Sequence, residues 1–281
     1  MHFFTTATEL RAQVSAWRHA GQRIALVPTM GNLHAGHYSL VELARAQADR
    51  VVTSLFVNPT QFGPKEDFAR YPRTLGEDRA GLTAHGCDAL FAPSIEEMYP
   101  FGTADSVCIE VPKISEPLEG ALRPGHFAGV ATVVCKLFQL VQPDTAVFGR
   151  KDYQQLLVIE RLVADLRMPI EIVAGTTHRE AGGLAMSSRN QYLSPTERET
   201  ATTIYRTLKA MRDQWREGRP TDAIEATALS SLRAAGFVPD YASIRRARDL
   251  ETPRDERNGL IALIAAHLGK TRLIDNLPLD P

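Results

Sequence analysis

The chain has 281 residues, with 32 lysines and arginines against 33 aspartates and glutamates, for a formal charge of −1. That balance offers no electrostatic ground for a nucleic-acid or anionic-membrane partner, and no apolar run approaches the roughly 20 residues of a membrane span. A hydrophobic fraction of 44% with 23% charged residues suits a soluble chain whose core fills one large domain or two ordinary ones. Cys87, Cys108 and Cys135 form no C-x-x-C pair, and an odd count is a poor disulfide framework. The opening MHFFTTATELRAQ has no basic segment followed by an apolar one, so the expected location is the cytoplasm.

Along the first half, short apolar runs alternate with helical patterns. Strands are predicted over residues 24–27, 51–57, 89–92, 146–148 and 170–174, and helices near 38–49, 75–85, 126–142 and 152–166. The clearest helix repeats Val130, Val133, Val134, Leu137, Phe138 and Val141 on one face at the 3.6-residue period. Strands alternating with helices predict βαβ units: an α/β, Rossmann-like parallel sheet with helices on both faces. In such sheets ligands sit at the carboxyl ends of strands, at a topological switch point.

The pattern changes after about residue 177. Residues 178–194 are polar and rich in glycine and serine, and read as a flexible loop. Ser194-Pro195-Thr196-Glu197 then spells a capping serine, a proline at the first helical position and a glutamate at the third. Helices are predicted at 195–217 and 221–235, and a small antiparallel sheet at 241–245, 259–266 and 271–275. The expected division is residues 1–177 and a smaller α+β domain over 178–281.

The stretch P-T-M-G-N-L-H-A-G-H follows the strand at 24–27. A strand that passes through Gly31 into a helix near His34 brings free N–H groups and the positive end of the helix dipole to the sheet's carboxyl edge, where phosphate binds. His34 and His37, three apart, share a helix face, and Gly36 between them lets a flat base approach the backbone. A zinc-protease helix spaces its histidines four apart around a glutamate; here no third ligand is evident, and the metal reading fails on ligand count. On the residues alone, a nucleotide site and a turn with two surface histidines both stay open. Gly269-Lys270-Thr271 is no phosphate loop, because the position five before Gly269 is Ile264.

H-A-G-H resembles the H-I-G-H signature of the nucleotidyltransferase superfamily, whose histidines stabilise charge on an α-phosphate under attack. That superfamily's second, basic-serine motif has a counterpart in Met186-Ser187-Ser188-Arg189, two hydroxyls and a guanidinium suited to polyphosphate. Seven stretches occur in family order: P-T-M-G (28–31), H-A-G-H (34–37), F-V-N-P-T-Q-F (56–62), Y-P-R (71–73), R-P-G-H-F (123–127), K-D-Y-Q-Q (151–155) and M-S-S-R-N (186–190). With the closing L-G-K-T-R-L-I-D-N (268–276), they resemble the pantothenate synthetase (pantoate–β-alanine ligase) family over nearly the whole chain.

The resemblance implies ATP-dependent condensation of (R)-pantoate with β-alanine. A pantoyl-adenylate forms as diphosphate leaves, and AMP leaves when the amine attacks; Mg²⁺ accompanies ATP, which is a substrate. It further implies a homodimer and a second domain that closes over ATP; no residue is singled out as a metal ligand. By position, Met30, Gly31, His34, Gly36 and His37 line the ATP site, with His37 the nominal proton donor. Gly149, Arg150, Lys151 and Asp152 lie at the nucleotide, Lys151 reaching the phosphates, and the His178 backbone meets adenine. Met186, Ser187, Ser188 and Arg189 serve the β- and γ-phosphates. Gln61 and Gln155 match the pantoate site, Gln61 also bordering β-alanine, and Asn58 supports that pocket. An amide, both donor and acceptor, suits a substrate with two hydroxyls and a carboxylate. Arg123 and His126 either orient substrate or cap packing, and Glu77 and Asp78 read as a solvated helix face.

Three positions depart from the family string. Arg150 stands for a glutamate, His178 for an aliphatic residue and Gly182 for an aspartate; none replaces a principal side chain. Two other readings remain: a nucleotidyltransferase acting on another, phosphorylated acceptor, and a non-catalytic nucleotide-binding regulator. An aminoacyl-tRNA synthetase core is disfavoured by the short second domain and the absence of basic charge.

Overall fold

In the computed structural model, which describes residues 1–64 and 66–280, the apolar runs of the first half become strands of one sheet. Two units are distinguished, residues 1–150 with 154–176, and residues 151–153 with the chain from 177 on. The first unit runs β1 (His2–Phe4), α1 (Ala7–His19), β2 (Ile24–Thr29), α2 (Ala35–Arg45), β3 (Arg50–Leu55), α3 (Leu75–Ala84) and β4 (Ala89–Phe91). It continues through α4 (Ile95–Met98), α5 (Glu119–Leu122), α6 (His126–Val141), β5 (Thr145–Gly149), α7 (Tyr153–Asp165) and β6 (Glu171–Gly175).

Among the described residues the sheet has the order β1-β4-β3-β2-β5-β6, with every pairing parallel. Ala25, Val27, Val51, Leu90 and Val147 face Leu40, Val41 and Ala44 of α2 and Leu82 of α3. Strand residues alternate between faces, so the intervening Ile24, Leu26 and Val52, also buried, lie on the side of α1 and α6. Cover on both faces is why these strands read as continuous apolar runs rather than alternating ones.

The second unit runs α8 (Pro195–Ala201), α9 (Thr203–Arg216), α10 (Thr221–Ala234), β7 (Val238–Arg246), β8 (Leu260–Leu268) and β9 (Thr271–Pro278). The strands form an antiparallel sheet in the order β7-β8-β9. Ile204, Leu208 and Met211 of α9 and Ile224, Ala228 and Leu232 of α10 pack with Ala262, Ile264 and Ala266 of β8. The Ser194 hydroxyl accepts from the Glu197 N–H, and the Glu197 carboxylate accepts from the Ser194 N–H, closing the expected capping box.

The structure departs from expectation in several places. The edge strand β1 and helix α1 precede the first predicted strand; α1 is capped by Thr6 and buries Leu10, Val14 and Trp17. The single helix expected over 195–217 is divided at Thr202. Residues 179–185 form a closed turn rather than a loose loop: Arg179 and Ala185 make a β-bridge, and the Met186 N–H donates to the His178 carbonyl at 2.9 Å.

Candidate active site

The strand order reverses between β2 and β5, which makes their carboxyl ends the switch point. Past β2, Gly31 and Asn32 both take positive φ, 88° and 51°, a sharp turn that glycine enters without strain. Asp78 of α3 holds this turn: its carboxylate accepts the Asn32 N–H at 2.9 Å and the Leu33 N–H at 2.7 Å. The expected solvated face of α3 is therefore corrected at Asp78, which is 1% exposed. A carboxylate bonded to two N–H groups is the charge-assisted pairing that permits such burial.

The turn delivers His34 as the N-cap of α2. The first N–H groups of a helix lie outside its own ladder and point at whatever sits before it; here they belong to Ala35 and Gly36. The imidazoles of His34 and His37 stand 4.1 Å apart, centre to centre, at an interplanar angle of 39°. The His34 N–H donates to Nδ1 of His37 at 3.3 Å. Accepting at Nδ1 puts the proton of a neutral His37 on Nε2, which is then a donor.

The second cluster is the 3₁₀ turn Pro59–Gln61, capped by Asn58. Asn58, 1% exposed, is saturated by protein: Oδ1 accepts from the Tyr99 hydroxyl at 2.7 Å, the Thr60 hydroxyl at 3.0 Å and the Thr60 N–H at 3.4 Å. Its Nδ2 donates to the Gly129 carbonyl at 3.1 Å and to Gln61 Oε1 at 3.2 Å. Gln61 Nε2 is left pointing at the Met30 thioether, 3.2 Å away and a weak acceptor. Helix α6 comes so close that a Cβ on Gly129 would lie 2.5 Å from the Thr60 carbonyl oxygen.

Arg123 and His126 hold the same turn by its backbone. The Gln61 carbonyl accepts from His126 Nδ1 at 2.8 Å and from Arg123 Nη2 at 3.4 Å. Arg123 grips Glu66 through two bonds of 2.7 and 2.6 Å, and its Nη1 lies 3.1 Å from His126 Nε2. Burial first, then the adjacent Arg123 charge, holds the His126 imidazole down at about 4. It is neutral near pH 7, with its proton on Nδ1.

The adjacent glutamines of α7 differ in use. Gln154 is buried and spent on backbone, donating to the carbonyls of Ile114 at 2.9 Å and Pro117 at 2.8 Å and accepting from the Glu119 N–H at 3.1 Å. Half-buried Gln155 has no such anchoring to the 114–119 segment. In the second unit, the Lys151 carbonyl accepts from Asn276 Nδ2 at 2.8 Å, and Lys151 Nζ lies 3.4 Å from Asp152. Ser187 caps the turn Ser188–Tyr192, its hydroxyl accepting from the Arg189 N–H at 3.3 Å. The closed turn at 179–185 is secured by Arg179, which makes a two-bond pair with Asp275 at 2.5 and 2.9 Å.

The structure thus brings Met30 beside Gln61, which Asn58 bonds in turn, and pairs His34 with His37. It ties Met186 to His178, and Lys151 is joined to β9 through Asn276. Reading the sequence missed Asp78 and Tyr99, whose partners lie 46 and 41 residues away. Among the described residues, no group of three or more His, Cys, Asp and Glu side chains is placed to hold a metal ion, and no helix is long and apolar enough to cross a membrane.

A family model described as pantoate-beta-alanine ligase matches residues 2–278. A pantothenate synthetase from Xanthomonas euvesicatoria is 59% identical over 274 residues, covering 97% of this chain and 98% of that one. The crystal structure of pantothenate synthetase from Thermus thermophilus is similar over 100% of both chains, with 47% identity and a TM-score of 0.94. That of pantoate-beta-alanine ligase from Francisella tularensis, complexed with beta-gamma ATP and beta-alanine, covers 100% of this chain and 98% of its own, with 33% identity and a TM-score of 0.85.

Proposed function

Because the chain belongs to the pantoate–β-alanine ligase family, we propose that it condenses (R)-pantoate with β-alanine using ATP, through a pantoyl-adenylate. A pantoate carboxylate oxygen attacks the α-phosphorus, and the bond to diphosphate breaks as the new P–O bond forms. The β-alanine amine then attacks the acyl carbon. AMP leaves with the electrons of the acyl C–O bond, and the amine sheds a proton to give the amide. Mg²⁺ belongs to this reading as part of the substrate, carried on the ATP phosphates.

The chemistry needs positioning and charge stabilisation more than a protein nucleophile. The observation that carries the reading is the pair of clusters beside β2. The His34–His37 pair offers a donor edge at a helix start, and Gln61 offers an amide N–H₂ next to Met30. His37 Nε2–H suits the charge that builds on the α-phosphate, and Gln61 suits a hydroxyl or carboxylate oxygen of pantoate. Gln155 is the second pantoate amide, and Asn58 acts through Gln61. By the family resemblance, Lys151, Ser187, Ser188 and Arg189 serve the phosphates, with Gly149, Arg150, Asp152, His178 and Met186 at the nucleotide. A phosphorylated acceptor would call for arginine or lysine where Gln61 stands, which disfavours the nucleotidyltransferase alternative. The reading includes a homodimer, checked by light scattering, and a cytoplasmic location, where ATP is supplied.

The test is a steady-state assay with ATP, Mg²⁺, pantoate and β-alanine that follows AMP and omits one component at a time. AMP and pantothenate are expected only from the complete mixture. His37→Ala is expected to lower turnover on the order of 10²-fold. Tight ATP binding with no product from pantoate would sink the assignment in favour of a regulator or another acceptor.

A further inference from the structure

Two backbone groups of fixed polarity start the argument. The Thr60 N–H can only donate and the Gly129 carbonyl can only accept, and Asn58 bonds both. That sets the Asn58 amide: oxygen toward Thr60, nitrogen toward Gly129. The same nitrogen faces Gln61 and can only donate, so Gln61 must turn Oε1 inward. Its Nε2 is left on the Met30 side, where the thioether is too weak an acceptor to satisfy it.

The shortest bond in this relay comes from Tyr99, whose hydroxyl lies 2.7 Å from Asn58 Oδ1 and 3.2 Å from the Thr60 hydroxyl. Tyr99 is 2% exposed and its ring lies under the Lys136 ammonium at 4.9 Å. Burial pushes its hydroxyl above the usual phenol range, so it stays a donor at any physiological pH. The Gln61 backbone is held independently by His126 and Arg123. The carbonyl and the carboxamide of Gln61 therefore have separate supports, and Tyr99 bonds only the Asn58 and Thr60 side chains, on the side that leads to the carboxamide.

We propose that Tyr99 is a positioning residue for substrate recognition: through Asn58 it holds the Gln61 carboxamide with its N–H₂ outward, so that this site selects a substrate oxygen that accepts. The proposal rests on the reading that Gln61 meets pantoate.

Tyr99→Phe removes the hydroxyl and keeps the ring. It is expected to raise KM for pantoate on the order of 10-fold, the loss of one buried hydrogen bond, with kcat and KM for ATP changed by less than about twofold. In a Gln61→Ala background the same substitution is expected to do almost nothing, because the group it orients is gone. Asn58→Asp is the second variant: a carboxylate facing Gln61 accepts rather than donates, reverses the carboxamide and is expected to raise the pantoate KM further. Equal losses from Tyr99→Phe in both backgrounds, or a fall in kcat with both KM values unchanged, would show a merely structural tyrosine and overturn the proposal. Should Gln61→Ala leave the pantoate KM unchanged, the site reading itself falls, and this inference with it. A raised KM in Gln61→Ala with none in Tyr99→Phe removes the inference alone.

Discussion

Gln61 and Gln154 are both buried amides of the first unit, yet their surroundings oppose each other. The three bonds of Gln154 all end on backbone atoms of the 114–119 segment, so nothing is left over. Gln61 has one good partner, Asn58 Nδ2, and spends its own N–H₂ on a thioether. A buried polar group that is fully paired holds structure; one left with a poor partner is where a ligand gains most by arriving.

The sharpest way to break the comparison is to truncate both. Gln154→Ala orphans a buried N–H and two carbonyls and is expected to cost about 3 kcal/mol in denaturant unfolding, with little change in substrate KM for the folded fraction. Gln61→Ala is expected to show the reverse pattern: kcat/KM for pantoate down on the order of 10²-fold, about 2.7 kcal/mol, and unfolding nearly unchanged. Exchange of these two outcomes would show that saturation of an amide does not separate structure from site.

A smaller effect tests the backbone support of Gln61. His126 has its ordinary value near 6.5 in the unfolded chain and about 4 in the fold. Between those values the unfolded state binds more protons, so stability rises with pH. The contribution is complete above pH 6.5 and is lost as pH falls through about 4. Allowing for partial exposure, it amounts to about 2 kcal/mol. Unfolding free energies at pH 7 and pH 4, parent against His126→Asn, should show this difference; equal pH slopes would contradict it.

The smallest effect is a control in the second unit. Ser194→Ala removes one half of an exposed capping box and is expected to cost about 1 kcal/mol, with no effect on KM. A shift in the pantoate KM would mean that a locally satisfied cap also serves the substrate.

Legibility followed the range of the interactions. The sheet was readable because Ile24 to Val27 is apolar throughout, as burial on both faces requires, and α6 because its valines keep one period. The capping box at Ser194 lies within four residues and was read as built. Helix α1 escaped notice because its three buried residues sit among charged and polar ones, and β1 because three residues carry no pattern. The break at Thr202 has no glycine or proline to announce it. Within the candidate site, the motifs single out His34, His37 and Gln61. They do not single out Asp78 and Tyr99, since what makes these two matter is a partner some forty residues distant that no local spacing encodes.

The β2–β5 pairing has a consequence for how the chain is made. Ile24 at the start of β2 bonds Asp144 just before β5, 120 residues further on. Pairing of this kind cannot begin until the later strand exists, and its loop-closure cost delays it further. On the ribosome, β2, β3 and β4 can assemble while the switch point still lacks one wall. The histidine turn is therefore synthesised early and gains its neighbouring strand late, so a nascent chain shorter than about 150 residues, the end of β5, carries the H-A-G-H motif without the completed switch point.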